Sequence, residues 1–450
     1  MRTRPARLFG RRLAGTVSAA LALTLLAAGC SSKQEVVVVT VTSSTTDALS
    51  SLVQAPGLSS APASSAAVSS AAPTSSSVST VAGSDVRITA KPAFGAKNVP
   101  PNDPVTVTVF AAKITDMTMT ADDGTQIAGA IAADKGSWVS KERLDYATVY
   151  TVAGTAQDNS GKQTKITGKI TTVKPTATER ASIQIPQGGV VGVGAPIILT
   201  FSGVVKNRAA VEKALTVTTS AGAALQGNWG WLQDEQIQAD GPVQSQVHWR
   251  PTASPVDGTT PYWPANTKVH VVANLKGVDF GGGQWGREDF TSDFSIGRSQ
   301  IVIADAATHH LIVTVDDKIT KNYAVSYGKE SVPGRGTLNG IHLVTEKYPT
   351  FAMCNPQFDY CNSVEKWAVR INNNGEFIHE NLKAAAAFGI ANVSHGCVNM
   401  GAADAKSYYD SAIYGDPVVV TNTGGPQMSE KDALYDWIYT PDEWKALSAL

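Results

Sequence analysis

The chain has 450 residues, with 37 Lys and Arg against 38 Asp and Glu for a formal net charge of −1. That length exceeds one hydrophobic core and predicts roughly two to four domains. Charged residues are only 17%, and 39 Gly with 22 Pro favour β-structure with many turns. No basic stripe is present to hold nucleic acid, which excludes that class of partner.

The first 29 residues read as an export signal. Arg2, Arg4, Arg7, Arg11 and Arg12 form a basic start, and residues 13–28 form an apolar run. That run is short for a spanning helix. Leu26-Ala27-Ala28-Gly29-Cys30 resembles a lipobox, which implies cleavage before Cys30 and a lipid on its sulfur. The leucine stands one place earlier than the motif has it. Losing the five signal arginines leaves 32 basic against 38 acidic side chains. Residues 30–84 are dominated by Ser, Ala, Thr and Val and cannot bury a core, so they read as a flexible tether, with Val36-Val37-Val38-Val39 its one sticky segment.

From residue 85 the texture changes to short alternating segments. Val105-Thr106-Val107-Thr108-Val109-Phe110 has period two, and Thr148-Val149-Tyr150-Thr151-Val152 and residues 164–170 follow after turn residues. A second pass then begins. Residues 196–201 echo 104–109, and 266–271 echo 146–151. The pattern predicts two related immunoglobulin-like sandwiches, at 85–174 and 175–297, without the Cys and Trp landmarks of antibody domains.

Residues 300–305 and 310–315 predict strands that open a further, mostly β domain over 298–423. Within it, residues 402–414 read as a helix and 416–421 as a strand. Residues 424–450 predict a short helical tail, whose Trp437 and Trp444 read as anchors against this same domain.

The chemistry gathers in Ser394-His395-Gly396-Cys397-Val398-Asn399, with His379 upstream in Phe377-Ile378-His379-Glu380. A thiol is a useful nucleophile only as thiolate, and an imidazole can take its proton. The small Gly396 lets backbone pass close to a bound carbonyl, so its N–H and that of Cys397 are expected to face a developing oxyanion.

These strings resemble the L,D-transpeptidases of bacterial cell walls, of the actinobacterial, mycobacterial type with a YkuD-like catalytic domain behind immunoglobulin-like modules. Asn339-Gly340-Ile341-His342 is similar to the family's strand into the active-site lid. Trp367-Ala368-Val369 and Gly375-Glu376-Phe377-Ile378-His379 resemble the strands that lead to the catalytic histidine. The resemblance implies a mainly β, multidomain lipoprotein with Cys397 as nucleophile and His379 as base. The main-chain carbonyl of Glu380, where the family commonly has serine, would orient His379. His395 and Ser394 would shape the turn, His395 through a structural hydrogen bond. Tyr360 would be a lid tyrosine beside Met353, with Asn374, Gly375 and Asn399 lining the substrate.

The resemblance further implies acyl transfer between donor and acceptor tetrapeptide stems of peptidoglycan, with carbapenem β-lactams as covalent inhibitors. The enzyme would be lipid-anchored at the outer face of the cytoplasmic membrane. Carboxypeptidase trimming and lipoprotein attachment would use the same cysteine, and a non-catalytic wall-binding scaffold is a different reading. A papain-type protease is disfavoured because its histidine follows the cysteine. No cofactor or metal is implied. Asp279-Phe280-Gly281-Gly282-Gly283 lies where some members hold calcium, but Gly282 replaces an acidic ligand and the loop reads as empty. With Cys30 and Cys397 given roles, Cys354 and Cys361 remain. They are seven residues apart and are expected to bridge within the active-site lid, two free thiols being the alternative.

Overall fold

A computed structural model describes residues 77–80, 85–253, 262–358 and 360–450. The export signal, Cys30 and most of the tether lie outside the described residues. The chain is mainly β.

The first sandwich sets strands Ser77–Thr80, Arg87–Lys91, Thr106–Phe110, Ser137–Ser140 and Gly129–Ile131, in that order, against Lys113–Ala121, Val149–Gln157 and Gln163–Thr171. Val107, Val109, Val152 and Ile166 point inward from the two faces and share one core. Ser77–Thr80 departs from the tether reading, because it pairs antiparallel with Arg87–Lys91. Its Val78 and Thr80 suit a pleated edge, a local fit that bulk composition hides.

The second sandwich has a related topology, with four strands in each sheet. Ala181–Ile183, Ile197–Phe201, Gln246–Ala253 and Gln226–Trp231 form one sheet, and Leu215–Thr219, Lys268–Ala273, Phe290–Ile296 and Val190–Val191 the other. The echoed segments Thr106–Phe110 and Ile197–Phe201 hold equivalent places, as do Val149–Gln157 and Lys268–Ala273. In the Asp279 loop, the Gly281 N–H donates to the Asp279 carboxylate at 2.8 Å, and the Lys206 side chain lies along Gly282. Among the described residues, no group of three His, Cys, Asp or Glu side chains is placed to hold a metal ion.

The third domain has two sheets. One runs Lys318–Ala324, His310–Val315, Gln300–Asp305, Pro417–Thr421, Gly340–Leu343. The other runs Glu346–Asn355, Tyr360–Arg370, Phe377–Glu380, Val398–Met400. Val302, Val313, Val369, Ile378, Val398 and Val418 form the core between them. Helix Ala402–Ser411 covers one side through Ala405 and Tyr408.

The C-terminal tail corrects one expectation. Trp437 and Trp444 anchor it mainly to the second sandwich, not to the third domain. Trp437 Nε1–H donates to the Gly194 carbonyl at 2.9 Å, and Trp444 Nε1–H to the Asn228 carbonyl at 3.0 Å. The buried Arg250 guanidinium lies over both indoles, 4.4 and 4.7 Å from their centroids, and donates to the Tyr439 carbonyl at 2.8 Å. Burial pulls its pKa down to about 10. Beside it, buried His248 meets Asp436 at 2.8 Å. The glycines of the second module explain the choice of surface, since a Cβ on Gly230 would sit 2.9 Å from the Trp444 ring. Leu343 of the third domain joins the core that holds Trp437, so the two domains share apolar packing.

Trp444→Ala should empty a fully buried slot and cost about 3–5 kcal/mol. Scanning calorimetry should show a lowered unfolding transition; an unchanged one would mean the tail does not brace the fold.

Candidate active site

The site grows from one short parallel ladder, in which Ile378 pairs with Val398 and His379 with Asn399. Side chains alternate along a strand, so His379 and Asn399 share a face, and Cys397, in the bend just ahead of the strand, lines the same cavity as both. The turn ahead of Cys397 is held from several sides. Ser394 Oγ–H donates to the Cys397 carbonyl at 2.6 Å and accepts the Gly396 N–H at 3.2 Å. Thr337 Oγ1–H donates to the Gly396 carbonyl at 2.8 Å. Arg335 donates to the Ser394 and Val393 carbonyls at 3.0 and 2.6 Å. Gly396 has φ of +124°, a backbone region that favours glycine.

That geometry revises the expected pair of oxyanion donors. The Gly396 N–H is engaged by Ser394 within the turn, which leaves the Cys397 N–H as the turn's available donor. His395 is revised too. Among the described residues it makes no hydrogen bond, and its ring instead packs 5.3 and 5.1 Å from Phe358 and Tyr360.

His379 is buried, and its Nδ1–H donates to the Glu380 carbonyl at 2.7 Å. This fixes the tautomer and leaves Nε2 for chemistry. The carboxylate that approaches the ring is Glu365, 3.7 Å from Nδ1 and steadied by a 2.6 Å bond from Ser363 Oγ–H. Burial lowers the His379 pKa, opposed by the Glu380 carbonyl and Glu365. Cys397 is buried as well, and its thiol donates to the Gly375 carbonyl at 3.5 Å. Burial pushes its pKa up to about 12; Glu376 and Glu365 push the same way, against the Phe377 backbone and Arg370. At neutral pH a thiol with a raised pKa keeps its proton, and an imidazole with a lowered pKa takes none. Both shifts favour a neutral resting pair over thiolate and imidazolium.

A hairpin of Glu346–Asn355 and Tyr360–Arg370 covers the site. A disulfide joins Cys354 to Cys361 across its tip. Beneath it lie two cavities that both touch Met353, Tyr360 and His395. One, of about 350 Å³, is lined by Cys397, His379, Glu365 and Asn399. The other, of about 450 Å³, is lined by Asn374, Gly375, Glu376, Gly396 and Arg370. The structure thus divides most of the expected residues of the third domain between these two spaces, while Glu380 and Cys361 line neither.

Sequence reasoning did not single out Glu365, Glu376, Arg335 or Thr337. Glu365 alternates with Ser363 and Trp367 on the lid strand, a period-two signal that marks a face without saying which one looks inward. Thr337 and Arg335 stand just ahead of Asn339-Gly340 and carry no motif of their own.

Residues 299–420 match the family described as L,D-transpeptidase catalytic domain, and residues 96–279 match Bacterial Ig domain. L,D-transpeptidase 5 of Mycobacterium tuberculosis is 41% identical over 365 residues, which cover 81% of this chain and 77% of that protein. L,D-transpeptidase 2 of the same species is 32% identical, with 81% and 85% covered. A solved L,D-transpeptidase from Mycobacterium tuberculosis is 27% identical and covers 54% of this chain and 97% of its own, with a TM-score of 0.40.

Proposed function

The chain belongs to the L,D-transpeptidase family, and from that premise we propose that it crosslinks peptidoglycan by a cysteine acyl transfer at Cys397. The single observation that carries this is the placing of buried His379 and Cys397 in one cavity, with His379 Nδ1 committed to the Glu380 carbonyl. Nε2 is then the nitrogen left to move protons.

In the first step His379 takes the thiol proton as the sulfur adds to the carbonyl between the third and fourth residues of a tetrapeptide stem. The oxyanion meets the Cys397 N–H. His379 returns the proton to the departing amine, and D-alanine leaves a thioester. In the second step a side-chain amine of a neighbouring stem adds to the thioester carbonyl, gives its proton to His379, and the thiolate leaves and is reprotonated. Departing and incoming amines both exchange protons with one nitrogen, so they occupy the same space in turn. This assigns the cavity with His379 to D-alanine and then to the acceptor, and the cavity with Asn374 and Gly375 to the acyl half of the donor.

A neutral resting pair suits such a two-substrate enzyme. The thiolate forms only when a bound carbonyl is ready to receive it, so water and stray electrophiles meet an unreactive thiol. The lid disulfide stiffens the segment carrying Tyr360, by roughly 2–3 kcal/mol in the chain-entropy model.

The test is to incubate purified protein with disaccharide-tetrapeptide and follow products by mass spectrometry. Crosslinked dimer with free D-alanine supports the reading. Free D-alanine with uncrosslinked tripeptide would replace it with a carboxypeptidase, and no turnover would remove both.

A carbapenem presents the same thiolate with a strained carbonyl. Intact mass should gain one drug on the wild type and none on Cys397→Ala, with His379→Ala slowing adduct formation about 10²–10⁴-fold. Equal rates in wild type and His379→Ala would take the base role from that residue.

The lipobox-like Cys30 and the tether after it support a location at the outer face of the cytoplasmic membrane, with reach into the wall. In fractionated cells, Cys30→Ala should move the protein out of the membrane pellet. Retention there would contradict a lipid anchor.

A further inference from the structure

A second set of buried polar groups lies on the far side of the nucleophile turn from His379. Glu376 is almost fully buried. Its Oε1 accepts the Leu338 N–H at 2.8 Å, and its Oε2 lies 3.5 Å from Asn372 Nδ2 and 3.8 Å from His342 Nδ1. A Cβ built on Gly396 would touch its Cγ at 3.6 Å and Oε1 at 3.8 Å, so the carboxyl packs directly under the turn that carries Cys397.

His342 has no exposed surface. Its Nε2–H donates to the Leu338 carbonyl at 3.0 Å, while Nδ1 is buried with no hydrogen-bond partner. A bare ring nitrogen in that state is an acceptor in want of a proton. The group facing it is Glu376, at a separation that a side-chain shift of under about 1 Å would bring to hydrogen-bond length.

We propose that Glu376 and His342 share a single proton beneath the nucleophile turn, and that this proton must be present for Cys397 to ionise readily. Glu376 is thus a positioning residue that acts through the turn and its field, not a group that touches the reacting bond.

The electrostatics run in that direction. Burial pushes the Glu376 carboxyl up to about 8, helped by Asp432 and opposed by the Leu338 backbone and the Asn372 and Asn374 side chains. Burial lowers His342, against the carbonyls of Leu338 and Ile371. Below that pH the carboxyl is neutral and holds its proton toward Nδ1. Above it a carboxylate forms beside Cys397 and raises the cost of a thiolate. The other charged or titratable groups around Cys397 are Glu365 and Arg370 of the lid strand, Tyr360 at the lid tip, His379, and His395 and Lys383, which line the same cavity.

The network also reaches the tail. Asn372 Nδ2 donates to Asp432 at 3.1 Å, and the Ala433 N–H donates to Asn372 Oδ1 at 3.1 Å. The segment that Arg250 clamps thus ends one residue contact away from Glu376.

The inference rests on Cys397 being the nucleophile, but its test needs no turnover. The rate constant for iodoacetamide alkylation of Cys397 is measured by mass spectrometry from about pH 6 to about pH 10 in the full chain. Glu376→Gln keeps the shape, accepts from Leu338 and can donate to His342, so it mimics the protonated acid at every pH. The ratio of Glu376→Gln to wild-type rate constants should rise about tenfold across that range, with its midpoint near pH 8. His342→Phe removes the proton acceptor and should move the wild-type break in the profile along the pH axis. A constant ratio for Glu376→Gln would mean a merely structural role and would overturn the proposal, as would a His342→Phe break that stays in place. If alkylation follows the expected profile while tetrapeptide is not crosslinked, the transpeptidase reading fails and this one stands.

Discussion

The parallel pairing of Phe377–Glu380 with Val398–Met400 is the constraint on which the site depends. Side chains alternate along both strands, so a slip of one residue would turn His379 or Cys397 into the core. The pair is short, which makes its flanks decisive. Ser394, Thr337 and Arg335 bind the turn before Cys397 from one side, and the Glu380 carbonyl pins His379 from the other. Bridges from Ser326 to Asn399 and from Gly328 to Ser394 tie this edge to the neighbouring segment. Cys397 is thus located by backbone register first and by side-chain contacts second.

Braces farther out have a common form, in which a large or charged group fills space that glycine leaves open. Trp444 is one case, packed against Gly230 and covered, with Trp437, by the Arg250 guanidinium. Arg298 is another. It makes a two-pronged contact with buried Asp416 at 3.0 and 2.7 Å, at the joint where Gly192 and Gly194 meet the Tyr414 and Gly415 carbonyls. Each charge is buried only where hydrogen bonds or ring faces replace water. Together they hold the catalytic domain on the second sandwich as part of one packed body.

Much of this was legible in the sequence because it rests on local period and on one ordered motif. The strands at 300–305 and 310–315, the repeated echo between the two sandwiches and the Cys397–His379 pair all declare themselves within short windows. Long-range choices did not. Nothing local says that Trp444 packs on Gly230, more than 200 positions away, or that Glu365 rather than Glu380 brings a carboxylate to His379. The Gly396 N–H was misread for the same reason, since a hydroxyl two residues earlier claims it and sequence shows no rotamer. Ser77–Thr80 was hidden by the composition of the segment around it.

Two carboxylates near one thiol look at first like poor design, because each makes the thiolate harder to form. The difficulty eases once their separate placement is considered. Glu365 stands beside His379 and favours its imidazolium, so in the proposed acyl transfer its cost to the thiolate is partly returned at the moment of attack. Glu376 stands on the other side, away from the imidazole, where a negative charge would bring no such return. Deep burial pushes that second carboxyl up to about 8, and Leu338, Asn372 and His342 are the polar groups around it. The fold therefore sets one acid under the Cys397 turn, where burial disfavours its charge, and the other 3.7 Å from the His379 ring, where an imidazolium would answer it.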